Sequence, residues 1–204
     1  MQKRKEFLLG ASTAAYQVEG NNIYSDFWIQ ENLEHSSFVE KSGDAVDHYH
    51  RFKEDIELMK KAGLNAYRFS IEWGRIEPEE GKYSQEAVQH YREVLKCCRE
   101  NGIEPIVTLH HFSSPAWLIK KGGWIGESVV SAFADYASYI MKELGDEIEY
   151  ICTINEANMG YQLGKIMEDM RAASQRKEGD VQVGVNLDME QIRQSMMEQG
   201  EAFQ

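Results

Sequence analysis

Apolar residues along this chain follow two rhythms. Short apolar runs with β-branched or aromatic positions alternate with longer stretches in which apolar residues recur three and four apart. The runs at 66–71 (AYRFSI), 104–112 (EPIVTLHHF) and 150–154 (YICTI) predict buried strands, and 7–16 predicts a first strand before them. From Asp44 onward, Tyr49, Phe52, Ile56 and Met59 fall on one helical face. Val88, Tyr91, Leu95 and Cys98 mark a second helix, and Val129, Phe133, Ala137, Ile140 and Leu144 mark a third over 128–144. Gly63 sits where a helix C′ residue enters left-handed backbone, and Gly102 and Gly145 end the next two helices.

The order is β-α-β-α-β-α-β, which predicts a parallel sheet covered by helices. Chemistry collects where the strands end: Arg68, His110-His111 and Asn155-Glu156. A doubly wound sheet gathers its ligands at one switch point, whereas a barrel spreads functional groups over successive strand tips around one mouth. The spread predicts a (β/α)8, or TIM, barrel, of which this α/β chain is the first four to five units. Residues 21–42 form a long polar connection with an aromatic island at Phe27-Trp28, and such loops are usually functional. Beyond Gly160 the pattern weakens. Leu163, Ile166, Met167 and Met170 support a fourth helix, and 191–204 is polar and Met-rich. The alternation in VQVGVNL, 181–187, suits a half-exposed ribbon, with a fifth strand as the alternative. The chain is thus one domain, with β/α units over 1–160 and a helix plus an uncertain strand or insertion over 161–204.

Composition narrows the function. A net charge of −12 argues against nucleic acid and against anionic membrane surfaces, since both need a basic footprint. No stretch approaches the ~20 apolar residues of a membrane span. Lys3, Arg4 and Lys5 precede FLLGASTAA like a signal peptide, but the apolar part stops near Leu9, so a first strand is the better reading. Cys97, Cys98 and Cys152 form neither a disulfide framework nor a zinc site, which predicts a reducing, cytoplasmic location and no metal. A Glu at the tip of a buried strand is costly without a partner or a task, so Glu156 is a candidate proton donor with Asn155 gripping substrate beside it. Taken alone, the pair also fits a solvated strand-to-loop turn.

Five motifs in series resemble the retaining β-glycosidases of glycoside hydrolase family 1, which includes β-glucosidases and 6-phospho-β-glycosidases. They are FLLGASTAAYQVEG, the block GDAVDHYHRFKEDIELMKKAGLNAYRFSIEWGRIEP, TLHHFSSPAWL (similar to TLxHWDLPxWL), GGW at 122–124, and CTINEAN at 152–158. The resemblance covers Phe7 to about Asn158. It implies that Gln17 and His111 bind the glycone, that Asn155 holds the sugar 2-hydroxyl, and that Glu156 is the general acid/base. Arg68 matches the arginine beside the nucleophile. His110 takes the variable position of the motif as a wall residue, and Phe112 replaces its tryptophan with an apolar face alone. Trp117 and Trp124 fit either sugar platforms or core. Ala157 departs from the family's Asn-Glu-Pro, which costs turn rigidity. The implied mechanism is double displacement without a cofactor on a β-glucoside or related oligosaccharide, with two carboxyl groups about 5 to 5.5 Å apart.

The family's nucleophile lies in a TENG-type motif on the seventh strand, and no TENG occurs in these 204 residues. Glu19 and Glu72 match non-nucleophilic positions, and Glu72, between Ile71 and Trp73, is expected to be a structural ion-pair partner. Three readings follow: a truncated β-glycosidase chain carrying the acid/base but not the nucleophile, a non-catalytic sugar-binding module, or a half-barrel that self-associates through its open side.

Overall fold

A computed structural model describes residues 7–159, and the predicted elements beyond Gly160 lie outside the described residues. Four parallel strands are joined by helical crossovers: β1 (Gly10–Ser12), β2 (Ala66–Ser70), β3 (Glu104–His110) and β4 (Tyr150–Ile154). The strand order in space is β1-β2-β3-β4, the same as in sequence. That single winding without reversal belongs to a barrel segment, as the spread of functional strand tips predicts. Ser12 lies opposite Arg68, Arg68 opposite Ile106, and Thr108 opposite Cys152.

Three long helices cover the sheet: α3 (His48–Lys61), α5 (Gln85–Glu100) and α7 (Val129–Leu144). Short helices α1 (Ala15–Val18), α2 (Asp26–Glu31), α4 (Trp73–Ile76) and α6 (Ala116–Ile119) follow strand ends or interrupt loops. One contiguous core joins the layers. Tyr67, Phe69, Val107 and Leu109 from the sheet pack against Phe52 and Ile56 of α3, Val88, Tyr91, Leu95 and Cys98 of α5, and Tyr136, Ile140 and Leu144 of α7. Each fully buried aliphatic or aromatic side chain there contributes about 1.5–3 kcal/mol of transfer free energy.

Several expectations change. The first strand is shorter than 7–16 and gives way to α1, because Ala15 donates its N–H to Ser70 Oγ at 2.7 Å instead of continuing the ladder. The loop 21–42 contains α2, started by Ser25, whose Oγ accepts the Trp28 N–H at 3.2 Å. On α7 the central core residue is Tyr136 and not Phe133 or Ala137, which are only partly buried. A tyrosine is buried there because its hydroxyl donates to the Leu109 carbonyl at 2.9 Å. On α3, His48 is buried and Tyr49 is not; His48 Nδ1 lies 2.6 Å from Asp55 and its Nε2 3.1 Å from the Tyr67 hydroxyl.

Candidate active site

The strand tips converge through Arg68. This half-buried side chain donates Nε–H to Thr108 Oγ1 and Nη2–H to Asn155 Oδ1, both at 2.8 Å, and so ties together β2, β3 and the end of β4. Asn155 also extends the β3–β4 ladder, donating its N–H to the His110 carbonyl at 2.9 Å. Its Oδ1 is occupied by arginine, so its amide hydrogens remain for another acceptor. Glu156 then leaves the strand in left-handed backbone, with φ 46°, and its side chain is exposed. A non-glycine residue held there costs about 1–2 kcal/mol.

His111 completes the cluster. Its imidazole is held below its ordinary pKa first by burial and then by the Arg68 guanidinium, while Glu156 opposes both. Arg68 and Glu156 therefore both lie close enough to act on this ring electrostatically. His111 Nδ1 is buried with no hydrogen-bond partner among the described residues. Phe112 follows with φ 67° and a partly exposed ring in edge contact with His111, 5.1 Å between centroids. Gln17 is exposed on α1, just past the end of β1, and its side chain makes no hydrogen bond among the described residues. It is therefore near the same end of the sheet but not joined to the arginine cluster.

Of the two tryptophans, Trp117 is core: its indole N–H donates to the Glu77 carbonyl at 2.9 Å and its ring meets Trp73 edge-on. Trp124 keeps 40% of its surface exposed. Its N–H donates to Ser114 Oγ at 2.9 Å and its ring lies 4.5 Å from His110. His110 is a buried wall residue whose Nε2 lies 3.1 Å from the same Ser114 Oγ. Burial pushes its pKa down to about 4, so the ring is neutral. Among the described residues, no group of three or more His, Cys, Asp and Glu could hold a metal ion.

Behind these tips lies a buried acidic layer that sequence patterning does not show. Glu19 accepts from Arg75 Nε at 3.0 Å and from the Tyr91 hydroxyl at 2.8 Å. Glu72 is not the ion-pair partner expected. Its Oε2 accepts from Ser113 Oγ at 2.7 Å and its Oε1 has no partner among the described residues. With Ile71 and Trp73 buried on either side, the carboxyl is 2% exposed, and burial pushes its pKa up to about 8. Asp26, also buried, is pushed up to about 7 by the same cause. Thr108, Ser113, Ser114 and Asp26 were not singled out from the sequence; the Ser-Ser pair of TLHHFSSP was the one available signal.

The raised carboxyls set a pH dependence. A carboxyl whose folded pKa is raised contributes stability that is complete below its unfolded pKa and is lost as pH climbs through the folded value. His110, depressed to about 4, acts oppositely, and its contribution is already complete above about 6.5. Between pH 6.5 and 8.5 the carboxyls of Glu72 and Asp26 therefore dominate, and stability is expected to fall by about 2–3 kcal/mol. Urea unfolding at the two pH values measures it. Glu72→Gln should remove most of the slope; an unchanged slope would assign it to other groups.

Comparisons with known proteins identify the family and the fold. The family model described as Glycosyl hydrolase family 1 matches residues 1–181. Beta-glucosidase A of Thermotoga maritima is 39% identical over 157 residues, covering 74% of this chain and 35% of that protein. Beta-glucosidase A of Acetivibrio thermocellus is 38% identical over 170 residues, covering 80% and 38%. Among solved structures, beta-glycosidase BGL167 superposes with a TM-score of 0.76 at 44% identity, over 97% of this chain and 51% of that one. The Thermotoga maritima family 1 β-glucosidase in complex with isofagomine lactam gives 0.70 at 36% identity, over 76% and 37%. This chain spans between about a third and a half of the length of these relatives.

Proposed function

The chain belongs to glycosyl hydrolase family 1, and from that membership we propose that it supplies the acid/base side of a retaining β-glycosidase site acting on β-glucosides. Glu156 gives a proton to the leaving oxygen and later takes one from water. Arg68 favours the ionised form of the attacking carboxylate, which comes from outside these 204 residues. The observation that carries this reading is the Arg68 guanidinium itself. Among the described residues it meets only the neutral Thr108 and Asn155 oxygens, so its charge is left for an incoming carboxylate. With its Oδ1 taken by Arg68, Asn155 has its amide hydrogens left to donate to the sugar 2-hydroxyl oxygen. His111, Gln17 and the apolar rim of Phe112 and Trp124 bind the glycone.

The purified chain is expected to hydrolyse p-nitrophenyl β-glucoside at least about a thousandfold more slowly than a complete relative, because a missing nucleophile removes most of the rate. Turnover within tenfold of a complete enzyme would overturn that part, by showing that the attacking carboxylate lies within these residues. Isofagomine lactam, bound in the structure of the Thermotoga maritima relative, is expected to shift the His111 ring resonances of the folded chain. Unshifted His111 at saturating inhibitor would overturn the glycone assignment.

A further inference from the structure

We propose that Asp26 and Glu72 are positioning residues for His111: two buried carboxyl groups that hold the turn at His111–Ser114 from behind and so aim its ring at the sugar. The proposal rests on the glycone reading of His111 given above. It starts from a conformational problem. Phe112 sits in left-handed backbone at φ 67°, which a bulky aromatic residue does not adopt unless its surroundings impose it. Within the turn, the Ser113 N–H donates to the His111 carbonyl at 2.9 Å. The next two residues are each gripped by an acid from a different part of the fold.

Asp26, at the start of α2, accepts the Ser114 N–H through Oδ1 at 2.8 Å and donates its own N–H to the Ser114 carbonyl at 2.8 Å. Glu72, just past β2, accepts from Ser113 Oγ at 2.7 Å. Both acids and both serines are buried, and neither acid has an ion pair among the described residues. A carboxyl without a cation is an expensive way to fill space in a core. What each supplies is a fixed acceptor directly behind the strained residue, and two such anchors on adjacent positions leave the turn one geometry. That geometry sets where His111 stands at the end of β3, within electrostatic reach of Arg68 and Glu156. Ser114 Oγ extends the same anchor to Trp124 at 2.9 Å and His110 at 3.1 Å, so the hold on Ser114 also reaches the aromatic rim.

A bond that merely stabilises the fold would lower the melting temperature without moving His111. The test therefore compares ring resonances of His111 with thermal melting in the full 204-residue chain. Glu72→Gln and Asp26→Asn keep an acceptor oxygen in place, and both are expected to leave the His111 resonances where they are. Glu72→Leu, Asp26→Leu and Ser113→Ala remove the anchors, and each is expected to shift the His111 signals and to weaken isofagomine lactam binding about tenfold. Glu72→Leu and Ser113→Ala cut one bond from its two ends, so their double variant should show no more than the larger single effect. Should a leucine variant not fold, Ser113→Ala carries the test, since it deletes a single hydroxyl. Folded Ser113→Ala protein with a lower melting temperature and unmoved His111 would overturn the proposal. Should the inhibitor leave His111 unshifted in the parent chain, the glycone reading fails, and the resonance comparison among variants still decides the positioning role.

Discussion

Arg75→Met is expected to cost about 3–5 kcal/mol, the penalty for breaking a buried ion pair and leaving its partner uncompensated. Arg75 is the centre of the acidic layer. Its Nε donates to Glu19 Oε2 at 3.0 Å and to Asn22 Oδ1 at 2.6 Å, its Nη2 donates to the Gly20 carbonyl, and its guanidinium lies 4.1 Å from the Tyr49 ring centroid. It therefore pins the start of the long loop after β1 to α4. The close fit is visible at Gly20, whose φ is 80° and where a Cβ would stand 2.2 Å from the Asp44 carbonyl oxygen.

The pH dependence of this variant has a definite sign. Burial raises the pKa of Glu19 and Arg75 opposes that rise. Without Arg75 the folded pKa climbs further, and a raised carboxyl loses its contribution as pH increases. The Arg75→Met deficit should therefore be larger at pH 8 than at pH 5 in urea unfolding. Adding Glu19→Gln should recover part of it. A deficit below about 1 kcal/mol, the size of an exposed pair, would show that water reaches this network.

Trp73→Ala is expected to cost about 3–5 kcal/mol, a large share of the 5–15 kcal/mol that holds a typical domain together. Trp73 is 1% exposed and stacks on Tyr136 at 4.8 Å. Its edges meet Trp117 at 6.1 Å, Phe133 at 5.7 Å and His110 at 6.4 Å. The indole N–H donates to Glu77 Oε2 at 2.8 Å, and deletion leaves that buried carboxyl without this donor. Trp73→Phe should retain most of the packing and lose about 1–2 kcal/mol for the missing N–H. Thermal melting followed by circular dichroism separates the two. Near-native melting of the alanine variant would mean that the neighbouring rings collapse into the gap.

The long elements were legible because they obey one period over many residues. Helices α3, α5 and α7 begin within a few residues of where apolar spacing puts them, and β2, β3 and β4 coincide with the β-branched runs. Helices α1, α2, α4 and α6 run four to six residues, too short for a 3.6-residue rhythm to show. They exist because tertiary partners stop the chain from extending, as Ser70 does for α1. Burial of Tyr136 and His48 was likewise hidden, since each polar atom is matched by a group far along the chain: the Leu109 carbonyl for one, the Tyr67 hydroxyl for the other.

The sequence by itself determined the alternation of strand and helix, the residue types at the strand tips, and a family likeness that singled out Arg68, His111, Asn155 and Glu156 as candidates. Only the tertiary structure decided how those groups act on one another. Arg68 and Asn155 stand 87 positions apart and meet at 2.8 Å. Whether Glu72 is an ion or a neutral acid depends on what surrounds it: burial raises its pKa to about 8 against the opposing pull of the Ser113 hydrogen bond, which favours the neutral acid near pH 7. Spacing along a chain fixes which face a side chain shares with its neighbours; the dielectric and the partners that set its charge come from segments brought together by folding.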